Sequence, residues 1–562
     1  MSASPDTGDT EQARRSNPWV ALGFLMTGLT VGVIIMSMSN TELPEIESAL
    51  DMTNSSAELT WTLFLAGLGA FIVPAGRLAD QHGRRRVYVL GGVGMAIFCL
   101  LAAAATNGFV LLASRFLQGA LSAAIVATAV GLMNVLFTDP RRRGIAFGIF
   151  GVAFGAAMAL GPIVGGLFSD EGGWRLSFVL GAVVLIAATV GVARTAEESK
   201  DPDAPPGADL TGIVLLSIGV VALILALDQG RSYGWPTTTT RPVIAGWTWT
   251  WHISIVAVLF AAAAVSLTAF LLVDRARAAR GATVLLDPRL LRYERFSLGT
   301  VVASLLFAAG LPFFTVFPMF SQAVLGQSEL IAGVTIATVG LGIACGSLAS
   351  APLGGRYGAP RVVSCGLLLA GVVNIATIPL IRVDARAIEL SLTLLVFGLG
   401  FGLAYSRVTE VLLADIPAAR SSHASGMMFG ARVVAGAVGS AFFIAILTLT
   451  AVHQAQANVD RDTEATAEQR QEALDLVLGT SAPHYGSSSA GEEGTSIHDV
   501  TSKDPPNQLV VDAQTGYVDA TRLVLGFTSA MFLLGAILSM LIPSSPRIPD
   551  DDRPGAAATV GG

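Results

Sequence analysis

Apolar runs of about twenty residues recur fourteen times along this 562-residue chain. Each is long enough for a helix to cross roughly 30 Å of hydrocarbon. They fall at roughly 19–39, 59–76, 87–106, 109–136, 144–168, 176–193, 210–227, 252–273, 297–319, 330–352, 361–381, 388–413, 424–450 and 521–542. Charged residues make up 13% of the chain and hydrophobic residues 52%, whereas soluble domains carry about 25% charged residues. Such a chain has too little polar surface to cover a water-soluble globule. The expected fold class is an all-α membrane protein of 14 transmembrane helices, with the lipid bilayer as its surroundings. The 61 glycines fit that reading, because small residues let membrane helices approach closely.

Charge placement sets the topology. With the N-terminus in the cytoplasm, most of the 34 basic residues fall in cytoplasmic segments, among them Arg14, Arg15, Arg84–Arg86, Arg141–Arg143 and the arginines of 275–295. This is the positive-inside pattern. It puts both termini in the cytoplasm and the protein in the cell (plasma or inner) membrane. Residues 1–17 read as a polar tail. The apolar run after them is too long for a typical signal peptide and lacks a clear small-residue cleavage site, so it reads as a retained first helix.

The chain has two lysines, Lys200 and Lys503. Neither lies in a G-x-x-x-x-G-K-[ST] pattern, so there is no P-loop. Energy for any work must come from an ion gradient, a substrate gradient or another chain. Cys99, Cys345 and Cys365 lie in apolar runs without metal-site spacing, and no disulfide is expected. No cofactor or nucleic-acid partner is expected, and the chain is expected to be a monomer.

Two segments stand apart. Residues 194–209, RTAEESKDPDAPPGAD, read as a polar, proline-bearing linker. Residues 451–520 carry twelve acidic and three basic residues and read as a long, mostly disordered external loop. A short helix is expected in it around TAEQRQEALDLVLG. There is also an internal repeat. VPAGRLADQHGRRRV returns at an offset of 275 residues as SAPLGGRYGAPRVV, pairing Leu78 with Leu353, Gly83 with Gly358, Arg86 with Arg361 and Val87 with Val362. The chain therefore divides into an N-terminal tail (1–17), a six-helix bundle (18–194), and a linker with two extra helices (195–296). A second six-helix bundle (297–543), which includes the 451–520 loop, and a cytoplasmic tail (544–562) complete it. Two repeated halves with a site between them is transporter architecture.

GRLADQHGRRR, Gly76 to Arg86, is the most specific motif. A tight turn between two helices needs glycines at 76 and 83. Asp80 can lie near a helix N-terminus and pair with an arginine. Arg84 and Arg85 hold the loop at an anionic membrane surface. A plain basic anchor would explain the arginines but not the G-x-L-x-D-x-x-G-R-R order. In that order and place the sequence resembles the major facilitator superfamily. RFLQGALSAA, from Arg115, looks like the family's R-x-x-Q-G motif, and an arginine within an apolar helix normally faces a partner or an aqueous cavity. GVAFGAAMALGPIVGG looks like its antiporter motif, with Gly155, Gly161, Pro162, Gly165 and Gly166 giving a smooth, bendable face. Ordinary small-residue packing is the alternative for that stretch, and its G-P-x-x-G-G ending favours the antiporter. WRLSF, LLDPRLLRYERF and HASGMMFGARVVAGAVG resemble landmarks of the fourteen-helix drug:proton antiporter branch.

The resemblance implies alternating access around a central cavity, with export driven by proton entry. The chain departs from the family where it matters for coupling. Ile35 stands at the family's usual helix 1 acid, Glu42 lies two turns further outward, and Phe64 stands where a tyrosine is common. Glu42 is then either a mouth residue or a substitute proton or cation site. Arg407 and Glu410, three apart on one helix face, can pair, as a structural bridge or in proton coupling. Arg115 and Arg432 are the other candidate coupling residues, and Asp228 reads as a solvated helix end. His453, His484 and His498 are too dispersed for a metal. Phe307, Phe313, Phe314, Phe317, Met319 and Phe320 read as packing residues or, alternatively, as a hydrophobic drug-binding wall.

The expected function is secondary active efflux of a small amphipathic or cationic molecule in exchange for protons. An exporter of an endogenous lipid or secondary metabolite with weak or no proton coupling is a second reading. A non-transporting membrane receptor or scaffold is a third. No acid pair, nucleophile–base set or metal spacing points to an enzyme.

Overall fold

Polar residues just ahead of the apolar runs set where several helices start. Asn17, Asn107, Asp139, Asp209 and Ser254 each accept a first-turn backbone N–H, and Pro18 and Pro140 follow two of these caps. The computed structural model describes residues 17–543 apart from 475–507 and short breaks. The breaks are at 40–41, 53, 169–172, 203–206, 208, 235–236, 239–240, 242, 245–246, 281–283, 287–288, 328, 418–419, 462–465, 467–468 and 471–472. Residues 1–16 and 544–562, with His484 and His498, lie outside the described residues.

The helices are α1 (Pro18–Met38), α2 (Leu43–Leu50), α3 (Asn54–His82), α4 (Arg84–Ala103), α5 (Gly108–Leu136), α6 (Pro140–Leu167), α7 (Gly173–Thr195) and α8 (Leu210–Tyr233). After a short antiparallel hairpin, β1 (Val243–Ile244) and β2 (Trp247–Thr248), come α9 (Ile255–Ala279), α10 (Glu294–Gly310), α11 (Phe313–Ala323), α12 (Glu329–Tyr357) and α13 (Ala359–Thr377). α14 (Ala387–Leu413), α15 (Ser421–Val459) and α16 (Gln508–Met540) complete the chain. Among the described residues, fourteen helical spans are long and apolar enough to cross a membrane, α10 and α11 together forming the ninth. Leu90, Val265 and Leu449 are exposed on the bundle's outer surface, as lipid contact requires.

The structure adds to or corrects the sequence reading at four points. The ninth run bends at Leu311 and Pro312 into two helices, because proline cannot continue the hydrogen-bond ladder. Glu45 and Glu47 lie on the short helix α2. The 451–520 segment is not a loop throughout: α15 runs on to Val459 and α16 begins at Gln508. These extensions pack together through Ala455, Val459, Leu509, Val510 and Ala513, and Asn458 Nδ2 donates to the Asp512 carbonyl at 3.2 Å. Finally, the 194–209 linker is docked. Glu198 accepts the backbone N–H groups of Arg85 (3.0 Å) and Arg86 (3.2 Å), and the Arg84 N–H donates to the Ser199 carbonyl at 2.9 Å.

Within the first helices α3 packs on α5, α4 on α5 and α7, and α1 on α6 and α7; later, α12 packs on α14, α13 on α14 and α16, and α15 on α10 and α16. The two sets meet along two seams, α6 against α12 and α3 against α15, while α8 and α9 pair beside α3. The repeated motif lands on repeated geometry. Gly83 and Gly358 both take positive φ, 109° and 88°, at the residue before the next helix, a backbone conformation that glycine adopts without a Cβ clash.

Candidate functional site

The repeated turns mark an arginine-rich end of the bundle; α2 and Glu42 mark the other. At that second end the chain leaves α1 and enters α2 through Ser39 and Glu42, both fully buried. Glu42 occupies the N-cap position of α2, but its side chain caps nothing. Neither of its oxygens has a hydrogen-bond partner among the described residues. The Ser177 hydroxyl acts on Glu42, yet it donates to the Trp174 carbonyl at 2.7 Å. Burial pushes the Glu42 carboxyl up to about 8, against the lowering pull of Ser177 and the Arg115 charge and with a further upward push from Glu45.

Arg115, on α5, is fully buried as well. Its Nε donates to the Thr60 carbonyl (3.0 Å), Nη1 to the Ile35 carbonyl (3.1 Å) and Gln118 (2.8 Å), and Nη2 to the Met36 carbonyl (3.2 Å). The guanidinium thus caps the last turn of α1, where orphan carbonyls concentrate negative potential. It lies over the Phe64 ring at 4.9 Å, the position at which the sequence lacks a tyrosine. Ile35, at the family's acid position, is fully buried. Its backbone, not a side-chain acid, faces the arginine.

Midway along the seams sits a second buried arginine. Arg432, on α15, is fully buried and lies over Phe429 (5.1 Å), Phe307 (5.4 Å) and Tyr405 (5.6 Å). The cage is closed from across the seam by α6. Phe150 stacks on Tyr405 at 5.5 Å and meets Phe429 at 6.2 Å, and Phe154 lies 4.7 Å from Tyr405 and 6.3 Å from Phe307. Arg432 Nη2 donates to Thr409 at 2.9 Å.

The arginine-rich end carries links between the helix sets, two of them through charged side chains. Asp80 accepts Arg84 Nη2 (2.8 Å) and Nε (3.1 Å), and its other oxygen accepts the His423 backbone N–H (2.8 Å) at the start of α15. Asp80 therefore meets a helix N-terminus from the opposite set. Arg85 donates to the Ala196 carbonyl at 3.3 Å. The second link is the ion pair of Arg407 with Glu410, from which Arg407 also reaches the Gly144 carbonyl on α6 and Ser350 on α12 (3.2 Å).

The glycine face of α6 forms the α6–α12 seam. A Cβ on Gly155 would stand 2.7 Å from the Gly340 carbonyl, and one on Gly340 2.6 Å from the Gly155 carbonyl, so the backbones touch. Gly161 meets Ser37 on α1, Pro162 lies opposite Gly333, Gly165 is buried, and Gly166 faces open space. Gly76, expected in the turn between two helices, instead lies buried within the last turns of α3, and the turn is made at Gly83. The structure brings Arg407 and Glu410 together and sets Arg115 and Glu42 within electrostatic reach. Arg432 is separate from both pairs. Asp228 accepts from Gln229 at 2.8 Å near the end of α8, and Phe313 stacks on Phe397 at 4.1 Å. Among the described residues no three His, Cys, Asp or Glu side chains form a metal-binding group. Sequence reasoning missed the cage residues Phe150, Phe154, Tyr405 and Phe429, and the Glu198 strap. The four-residue spacing of Phe150 and Phe154 on the glycine face of α6 was the available signal.

Residues 20–440 match the family model described as Major Facilitator Superfamily. The chain is similar to the probable actinorhodin transporter of Streptomyces coelicolor, 29% identical over 81% of this chain and 76% of that one. It is similar to the puromycin resistance protein pur8 of Streptomyces alboniger, 29% identical over 80% of this chain and 85% of that one. It is also 29% identical to the multidrug efflux pump LfrA of Mycolicibacterium smegmatis, over 83% and 87% of the two chains. The solved human organic anion transporter MFSD10 shares the fold, with a TM-score of 0.57 at 14% identity, over 93% of this chain and 99% of that one. The family model across these helices and the transporter relatives identify a transporter, not an enzyme: the chain belongs to the major facilitator superfamily.

Proposed function

We propose that this protein exports small amphipathic molecules across the plasma membrane in exchange for protons, by alternating access between two six-helix halves. The observation that carries the reading is Glu42, a fully buried carboxyl held near 8 beside the buried Arg115. A proton carrier must change charge near ambient pH, and a group in this range does so with small changes of surroundings. Arginine placement supports cytoplasmic termini, which makes the Glu42 end external and the arginine-rich end cytoplasmic. The Asp80–His423 and Arg407–Gly144 links are then the cytoplasmic closure. Gly83 turns the chain so that Arg84 holds Asp80, Arg85 ties the turn to the Ala196 carbonyl, and the Gly155–Gly340 contact lets α6 pivot on α12. Loss of the Glu42 proton leaves a carboxylate that draws on the Arg115 charge and so weakens the grip of Arg115 on α1, which couples charge to the seam. Relatives named for antibiotic and multidrug efflux support a small organic substrate.

The test is proton release on binding. In weakly buffered detergent solution near pH 7.5, adding puromycin or ethidium should release a proton from wild-type protein and none from Glu42→Gln. Equal release from both sinks the assignment of Glu42. A second reading, export with weak or no proton coupling, is favoured by one observation. Ile35, fully buried, leaves the middle of α1 without an acid. Binding of either compound without proton release at any pH from 6 to 9 supports it.

A further inference from the structure

Among the described residues Arg432 is a cation that leaves most of its donors unused. It is fully buried, and Nε and Nη1 have no hydrogen-bond partner, leaving one bond, to Thr409, for the whole guanidinium. Arg115, equally buried, uses all three nitrogens on three carbonyls and Gln118. The acid one residue beyond Thr409, Glu410, is paired with Arg407. Among the described residues, the titratable group acting on Arg432 is the Tyr405 phenol. Burying a cation without an anion is expensive, and the rings of an aromatic cage offset only part of that cost. The missing partner is an anion or a strong acceptor.

The surroundings give that partner a shape. Phe307 (α10), Tyr405 (α14) and Phe429 (α15) surround the guanidinium, and Phe150 and Phe154 of α6 pack on those rings with centroids 4.7–6.3 Å apart. Two of the five rings belong to the opposite side of the seam, so separating α6 from α14 and α10 opens a slot with the unused donors at its base. Flat aromatic walls select a planar aromatic molecule by stacking. The buried charge selects what that molecule carries. We infer that the central cage binds planar aromatic anions, with the anionic group on Arg432 and the ring system between Phe150, Phe154 and Tyr405. The inference rests on the reading of the chain as an exporter of amphipathic molecules, and of the amphipathic or cationic substrate expected from the sequence it sets aside the cationic alternative.

Two planar probes of opposite charge test it: the anion alizarin sulfonate and the cation ethidium, titrated by fluorescence into purified full-length protein in uncharged detergent. Wild type should bind the anion at least tenfold more tightly than the cation. Arg432→Gln should reduce that preference by tenfold or more. Arg432→Lys, which keeps the charge but presents a compact ammonium, should fall between. Equal or tighter ethidium binding overturns the inference, as does loss of both affinities in parallel in Arg432→Gln, or binding of neither probe. The wild-type preference needs no variant, so a misfolded Arg432→Gln leaves the test intact. Uptake of both probes into inverted vesicles separates the two claims. Ethidium uptake without anion uptake sinks the charge assignment and keeps export. Uptake of neither sinks export, while the binding preference still decides the cage.

Discussion

Replacing Glu42 by glutamine removes one ionisable group and almost no volume. The carboxyl moves from 4.5 to about 8 on folding, which corresponds to roughly 5 kcal/mol disfavouring its charged form. The sign follows from proton binding. Between pH 4.5 and 8 the folded state holds a proton that the unfolded state has released, so stability falls as pH rises through that window and levels off above about 8. Glutamine is neutral throughout. The difference in melting temperature, variant minus wild type, should be near zero at pH 5 and grow to several degrees in favour of the variant by pH 8.5. Differential scanning fluorimetry in detergent at half-unit pH steps measures it, and the subtraction cancels other titrating groups. A difference that is flat across pH 5–8.5 refutes the reasoning, because Glu42 would then titrate at the same pH folded and unfolded.

Gly155→Val sets a branched side chain against the Gly340 carbonyl, and overpacking of this kind costs typically 1–3 kcal/mol. A lowered melting temperature with transport reduced tenfold or more is expected, and wild-type turnover contradicts the α6–α12 pivot. Glu410→Gln leaves Arg407 buried without its partner, at a cost of about 3–5 kcal/mol. The double variant Arg407→Gln/Glu410→Gln should recover most of that loss, and additive losses in a double-mutant cycle argue against direct pairing. Asp80→Asn removes the charge from both the Arg84 pair and the His423 link. Substrate affinity should hold while turnover falls several-fold, and a change in affinity alone contradicts a role in closure.

Much of the fold was legible in the sequence because lipid imposes a simple length and hydropathy rule. The rule failed at α15 and α16. There the apolar run ends near residue 450, but Ala455 and Val459 continue a helical stripe that packs on Leu509, Val510 and Ala513, and an amphipathic extension does not register as a membrane run. The Gly83 and Gly358 turns were legible because a positive-φ turn needs a glycine. Glu42 stood out only against the departure at Ile35, and sequence could not tell a solvated mouth from a dry one. That answer depends on α2 folding back so that Glu42 is fully buried. The Arg432 cage draws on α6, α10, α14 and α15, whose residues are up to roughly 280 positions apart, and no local pattern encodes such convergence. Glu198 lies in a stretch that reads only as a polar linker, and the fold places it at the start of α4, where two backbone N–H groups await an anion.

The most direct test of the central claim is transport against an imposed gradient. Inverted membrane vesicles containing the protein, acidified inside, should accumulate substrate, discharge on addition of a protonophore, and lose gradient-driven accumulation in Glu42→Gln. Uptake that ignores the gradient would contradict antiport and leave facilitated export. Full gradient-driven uptake by Glu42→Gln would remove Glu42 from the mechanism, and no uptake under any gradient would contradict transport itself.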